Sequence, residues 1–218
     1  MKNENLIQEA IGILSKDEYN EQAINLLRRF LISNQQQPSG KFNIYNYVSK
    51  DDSRPALHCV YHSGGFRVAT DATIIAALAK HDYPKELEGT LLNKTGEQID
   101  GNFPNWKPVI PDKSKLTDVW TIANKDLIAD AVKQQKQIKR ERRDAIIAIE
   151  ICGKHFAPAY LLKLIDFANH IGVNTINVGS YGSANSCCAS YGEDGSVGLL
   201  MGLDLSRGEQ SEKIIVKL

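Results

Sequence analysis

The feature of this 218-residue chain that most restricts its fold is a predicted β-hairpin over 54–71. Apolar and polar side chains alternate over 56–62, as is typical of a half-buried strand. Ser63–Gly64–Gly65 supplies a tight turn, and Phe66–Arg67–Val68 begins the return strand. The return strand ends in a corner at Ala69–Thr70–Asp71, where an aspartate commonly accepts hydrogen bonds from nearby backbone N–H groups. The first half of the chain is therefore expected to contain an antiparallel sheet.

The residues on either side of this hairpin extend the first half. Residues 73–78 are apolar and fit a buried strand or a short helix; continuity with the hairpin favours the strand. A second hairpin is predicted over 87–99, with a turn that contains Gly96. Before the sheet, helical periodicity predicts helices over 4–14 and 17–32, followed by a polar loop over 34–40.

The second half alternates strands and helices in a regular order. After a proline-containing linker near 108–113, we predict the following elements: a strand over 117–123, a helix over 124–142, a strand over 144–151, a helix over 158–171, strands over 173–180, 184–191 and 196–205, and a last strand over 213–218. This order is typical of an α+β fold in which two helices share one face of a sheet. Domains are expected at 1–110 and 111–218.

The bulk composition excludes several classes of protein. The chain is 42% hydrophobic and 24% charged, with 26 basic and 26 acidic side chains, so it does not resemble a protein that coats nucleic acid over its whole surface. We find neither an N-terminal secretion signal nor an apolar run long enough to span a membrane. The four cysteines show no CxxC spacing, and reduced thiols in a cytoplasmic protein are the expectation.

The predicted helix over 124–142 has the most unequal charge in the sequence. From Asn124 to Arg143 there are seven basic and three acidic residues, a balance of 7 − 3 = +4. At 100° per residue, the apolar side chains that include Leu127 and Ile128 fall on one side, and Lys133, Lys136 and Arg140 fall almost opposite. Such a helix can pack on a sheet and offer cations to phosphates, although basic runs are more often simply solvated surface.

Several residues that suggest chemistry have simpler structural roles. His58 and His62 share a strand face, but no third metal ligand lies nearby in the sequence. The glycines over 179–183 are followed by neither a lysine nor a helix start, so they do not form a phosphate loop. No Ser, Cys or Lys has a credible base beside it. We therefore expect no enzymatic activity, no cofactor and no metal site.

Four motifs, in order over 54–205, resemble the bacterial DNA sliding clamp, the beta subunit of DNA polymerase III. They are the hairpin that ends in Val68–Ala69–Thr70–Asp71, the Asp100–Gly101–Asn102–Phe103–Pro104 corner, the helix segment 156–168, and the strands 173–178 and 198–205. The resemblance implies a DNA-clamp-like fold in two domains of helices packed on antiparallel sheets, with an abbreviated first domain. It also implies a cytoplasmic, non-enzymatic processivity factor in DNA replication.

The resemblance implies two sites and three kinds of partner. The partners are duplex DNA bound without sequence preference, a DNA polymerase or other clamp-binding protein, and further copies of the chain in a ring. The residues that would contact DNA are Lys133, Lys136, Lys139, Arg140 and Arg143. An apolar cleft for extended partner peptides would use Thr70, Ile75, Pro104, Val109, Leu199 and Met201. Each of these six also fits ordinary core packing.

The chain departs from the clamp pattern in three respects. Bacterial clamps have three similar domains, and 218 residues leave room for two. Ala72–Thr73–Ile74–Ile75 stands where the family has Gly-His-Arg-Leu, and Gly202 stands where it commonly has proline. A two-domain subunit can close a ring as a trimer. The alternative is a protein-interaction module of clamp fold that binds partner peptides, or acts as a decoy, without encircling DNA.

Overall fold

The computed structural model describes residues 42–79, 87–123, 125–142, 145–181, 185–206 and 212–218. The predicted helices over 4–14 and 17–32 and the loop over 34–40 lie outside these ranges. Contacts divide the described chain into two compact units. The first contains the residues up to Asp71 and those from Leu78 to Pro104, and the second contains Ala72–Ala77 and Asn105–Leu218. The predicted domains 1–110 and 111–218 stay a prediction, because much of the first lies outside the described residues.

Eleven strands and two α-helices are found in the described residues. In chain order they are β1 (Val60–Ser63), β2 (Phe66–Thr70), β3 (Ile74–Leu78), β4 (Leu91–Leu92), β5 (Asp118–Thr121), α1 (Lys125–Glu141), β6 (Ile146–Ile151), β7 (Lys154–Phe156), α2 (Pro158–His170), β8 (Thr175–Tyr181), β9 (Asn185–Tyr191), β10 (Val197–Met201) and β11 (Lys213–Lys217). This mixture of helices and mainly antiparallel sheet is the predicted fold class.

The first unit is built on the predicted hairpin, with strand order β4-β1-β2. Gly64 and Gly65 have φ of 60° and 79°, so glycine supplies both left-handed positions of the two-residue turn. Ser63 pairs with Phe66 across that turn. The Asp100–Pro104 corner lies against the same hairpin, since the rings of Tyr61 and Phe103 stack with centroids 4.9 Å apart. The first two of the four resemblance motifs, the hairpin and the corner, therefore meet in one unit.

The second unit contains two sheets. The larger has the order β3-β10-β9-β8-β5, and the smaller has the order β11-β6-β7. Helix α2 packs on β9 and β10 and also contacts β6, while α1 packs against α2. Pro158 begins α2, where its missing N–H costs nothing and its fixed φ suits a first turn. The core of this unit is built from fully buried side chains that include Phe156, Phe167 and Leu164.

The structure differs from the sequence-based predictions at five places. Pro55–His58 is a 3-10 helix instead of the start of a strand, because proline begins a tight turn there. Strand β7 was missed, and the turn at Cys152–Gly153, with φ of 51° and 69°, returns the chain from β6 into it. Strand β10 ends at Met201, short of residue 205. The last strand pairs in parallel with β6, which sequence periodicity does not specify. The fifth correction concerns Leu127 and belongs to α1, described below.

Candidate nucleic-acid interface

Helix α1 is fixed to the second unit by a narrow apolar stripe. Ile128 is fully buried and Ala131 is 3% exposed, whereas the other apolar positions of the helix are partly open. Leu127, which was expected on the packed side, is 50% exposed. It lies at the edge of the stripe, about 100° from Ile128 around the helix. The packed face is therefore narrower than the sequence suggests, and most of the helix surface is open to solvent.

Ion pairs neutralise three of the six described basic residues on and just after α1. Lys125 donates to Asp166 of α2, with 2.5 Å between Nζ and Oδ1. Arg142 donates to Glu212 just before β11. Within the helix, Lys133 Nζ lies 2.8 Å from Asp130 Oδ1.

Each of these contacts joins exposed groups, so each adds little stability. The hydrogen bonds that Lys133 and Arg142 donate to Asp130 and Glu212 raise the pKa values of both cations above their ordinary values.

The other three cations form the part of α1 that is available to an anion. Lys136, Lys139 and Arg140 are exposed, and within the described ranges no carboxylate pairs with any of them. Their positions on the helix place them within about 100° of one another. Arg143, the fifth predicted phosphate contact, lies outside the described residues. The pairing of Lys133 with Asp130 was visible in the sequence as an i,i+3 spacing of opposite charges.

The six residues predicted to form a peptide cleft are divided between the two units. In the first unit, Thr70 is 4% exposed and Pro104 is exposed. In the second unit, Ile75 and Leu199 are cross-strand partners of β3 and β10 and are buried. Val109 and Met201 are partly exposed. The cleft stays a prediction. Of its predicted residues in the second unit, Val109 and Met201 are the two whose side chains are partly exposed to solvent.

The histidines considered as metal ligands have other environments. His62 is 1% exposed, and His58 Nε2 lies 2.8 Å from the carbonyl oxygen of Asp51. Across the part of the chain that the structure describes, no group of three or more His, Cys, Asp or Glu side chains is placed to hold a metal ion. Nor does any described helix have the length and apolar character needed to cross a membrane.

A buried arginine in the first unit was not singled out by the sequence. Arg67, on β2, is 5% exposed, and its Nε has no hydrogen-bond partner among the residues that the structure describes. Burial lowers the pKa of Arg67. Burial also raises the pKa of the neighbouring Tyr45 to about 12, against a smaller opposite effect of Arg67. The sequence gives only a weak indication that Arg67 is buried, because arginine in a strand is usually exposed at the protein surface.

Comparison with solved structures places this architecture among DNA polymerase sliding clamps. The beta subunit from DNA polymerase of Streptococcus pyogenes matches with a TM-score of 0.50 and 13% identity, over 73% of this chain and 61% of that one. The sliding clamp from Caulobacter crescentus matches with a TM-score of 0.49 and 16% identity, over 74% and 61%. The clamp from Bacillus subtilis matches with a TM-score of 0.48 and 14% identity, over 83% and 61%.

Comparisons by sequence give no relative. No protein-family model matches the chain, and no curated protein matches it. The chain spans 61% of the length of each of the three clamps above. At 13% identity, the match to the Streptococcus pyogenes subunit, with its TM-score of 0.50, defines the fold alone. The protein therefore has a sliding-clamp-like fold, as its sequence motifs predicted, and its function must be argued from its own residues.

Proposed function

We propose that this protein is a non-enzymatic, clamp-like factor that holds duplex DNA without sequence preference and tethers replication or repair proteins to it. One observation carries the proposal: Lys136, Lys139 and Arg140 are exposed on one helix without described carboxylate partners. Cations of this kind bind phosphates by displacing condensed counterions, which is independent of base sequence and sensitive to salt. The clamp-like fold supports the proposal by supplying a rigid support for such a helix.

Contact with phosphates fits α1 better than recognition of bases or single strands. No aromatic residue lies within Lys125–Glu141, so there is no stacking platform for unpaired bases on this helix. Recognition of bases by hydrogen bonds from Asn or Gln side chains would require the helix to lie in the major groove. A helix whose lysines and arginine lie on its solvent side instead approaches the backbone from outside the duplex.

The proposal is tested by reversing two of these charges. We expect K136E/R140E to weaken binding of a fluorescein-labelled duplex of about 20 base pairs by at least tenfold at low salt. The slope of log affinity against log salt should fall by about two, one for each lost phosphate contact. K113E/K115E makes the same change in net charge at exposed lysines of another element and is the matched control. Equal affinity and equal slope in K136E/R140E and wild type would remove DNA binding from this helix.

Tethering of partners is the second part of the proposal. Val109 and Met201 offer partly exposed apolar surface in the second unit, and Met201 lies two residues along β10 from the buried Leu199. An extended peptide with leucine or phenylalanine anchors would use such surface. We expect M201K to abolish capture of such a peptide while it leaves the salt dependence of DNA binding unchanged.

The alternative function is a clamp-fold interaction module that does not encircle DNA. It is favoured by the neutralisation of Lys125, Lys133 and Arg142 by carboxylates of the chain itself, which weakens the cationic character of α1. Mass measurement by sedimentation equilibrium separates the two functions. A closed ring requires a defined oligomer, whereas a monomer at working concentrations cannot surround a duplex.

A further inference from the structure

A groove in the second unit is not explained by DNA binding. Its volume is about 520 Å³, and it lies between α1, the start of β6, the first turn of α2 and the segment 203–205. Val132, Ile146, Tyr160 and Leu203 give it an apolar lining. A phosphate gains nothing from such a lining, because a buried charge needs hydrogen-bond donors in place of water. The groove is instead of the size and character that accept one or two apolar side chains.

The charge at the groove identifies its occupant. Lys136 and Lys139 of α1 line the groove, and neither pairs with a carboxylate in the described part of the chain. Asp204 lies among the other lining residues and accepts hydrogen bonds from Ser206. A segment seated here therefore meets two ammonium groups on the α1 side and one carboxylate on the 203–205 side. Opposite charges in a partner would fix its orientation.

We propose that this groove binds an acidic peptide segment of a partner protein, with a leucine or phenylalanine side chain inserted between the helices and Asp or Glu residues beside Lys136 and Lys139. The apolar anchor supplies affinity through burial, and the carboxylates supply specificity and orientation. Long lysine side chains suit this role because their methylene stems cover apolar surface while the ammonium groups stay in water.

Shared use of Lys136 makes the peptide a competitor of DNA, a consequence that rests on the proposed function. Lys136 is one of the cations assigned to phosphate contact and also lines the groove, and the same holds for Lys139. A bound acidic segment would neutralise this cation and Lys139 and bring like charge toward the duplex. The partner segment would thus loosen the protein from DNA when it binds.

The test uses a fluorescein-labelled nonapeptide with Leu-Phe at its centre, Asp and Glu on one side of it and uncharged Ser and Gly on the other, so that no carboxylate is forced against Asp204. We expect saturable binding to the whole chain, weakened at least tenfold by K136E/K139E and by A159W, which fills the groove with an indole and leaves both lysines in place. K113E/K115E, matched in charge, should bind the peptide within about twofold of wild type. A second peptide with Ser-Ser at its centre should lose most of the affinity, because its acidic residues alone lack an anchor.

Three results with the peptides would overturn the proposal: no binding up to about 1 mM peptide, affinity unchanged in both K136E/K139E and A159W, or equal binding of the two peptides. Loss of duplex affinity in A159W would also overturn it, since the groove would then hold DNA. If circular dichroism shows A159W to be unfolded, A159E replaces it. Ala159 is exposed in the first turn of α2, where a glutamate suits the helix dipole and repels an acidic peptide.

Failure of this proposal and failure of the proposed function are distinguishable. If DNA binding is absent, K136E/R140E equals wild type toward the duplex, yet the peptide arm can still succeed. If the groove binds no peptide, K136E/R140E should still weaken binding of the duplex.

Discussion

Lys133 and Asp130 form a hydrogen-bonded ion pair one turn apart on α1, with 2.8 Å between Nζ and Oδ1. Both side chains are mostly exposed, so the pair contributes little to folding. Its effect is on function, because it reduces the net charge that the middle of the helix offers to an anion. Lys136 and Arg140, one and two turns further on, have no such partner among the described residues.

Removing the carboxylate of this pair should strengthen DNA binding. In D130N the helix gains one net positive charge and Lys133 is released to meet a phosphate. We expect affinity for duplex DNA to rise about two- to threefold at low salt, with a steeper salt slope, and this gain to vanish at high salt. Fluorescence anisotropy at several salt concentrations measures it. D112N, which makes the same charge change in an exposed turn, is the control and should show a smaller gain.

Gly198 of β10 should be required for the close packing of α2 on the sheet. A Cβ on this residue of β10 would lie 2.7 Å from Cδ1 of Phe167 and 2.8 Å from Cδ1 of Leu164. Both neighbours are fully buried and have no room to move away. We expect G198A to lower the free energy of unfolding by about 1–3 kcal/mol, measured by chemical denaturation. G172A makes a useful comparison, because a Cβ on Gly172 would meet nothing within 4 Å, so the cost would arise from its left-handed φ of 73° alone. A neutral G198A would mean that Phe167 and Leu164 can shift to admit a methyl group.

Replacing Ala72 with glycine should stabilise the protein. It follows the corner at the end of β2 with a φ of 74°, a left-handed conformation that a side chain disfavours. Glycine adopts this conformation without that penalty. We expect A72G to raise the free energy of unfolding by about 0.5–1 kcal/mol, the relief of strain minus the greater entropy of glycine in the unfolded chain. Destabilisation by A72G would show that the methyl group packs usefully.

Tyr45 should make the protein sensitive to alkali. Burial raises its pKa to about 12 in the folded state, against about 10 in the unfolded chain. Because the folded state holds this proton more tightly, the stabilisation is complete below pH 10 and declines as pH rises toward 12.

Between pH 9 and pH 11 the loss attributable to Tyr45 is on the order of 1 kcal/mol. Urea denaturation across this range measures it, and in Y45F this part of the pH dependence should disappear. An unchanged pH profile in Y45F would show that Tyr45 does not hold its proton in this way. Measurements should stop near pH 11, because the lowered pKa of Arg67 has the opposite effect on stability as pH rises.

The order and type of most described elements could be predicted because their signals are local. Hairpin β1–β2 follows from alternation and two glycines, and α1 and α2 follow from a 3.6-residue period over more than three turns. Strand β3 was ambiguous by composition, and hairpin continuity resolved it correctly. The basic character of α1 was equally plain, since counting charges needs no coordinates.

The sequence by itself determined that this chain makes an α+β fold with a cationic helix, because propensity, periodicity and turn chemistry act between near neighbours. Only the tertiary structure decided which cations remain available. Lys125 pairs with Asp166, 41 residues away in sequence, and Arg142 pairs with Glu212, 70 residues away. Local sequence patterns cannot predict contacts at such separations. Packing of α1 against α2 also created the groove beside Lys136 and Lys139, for a concave surface between two elements exists only once both are in place.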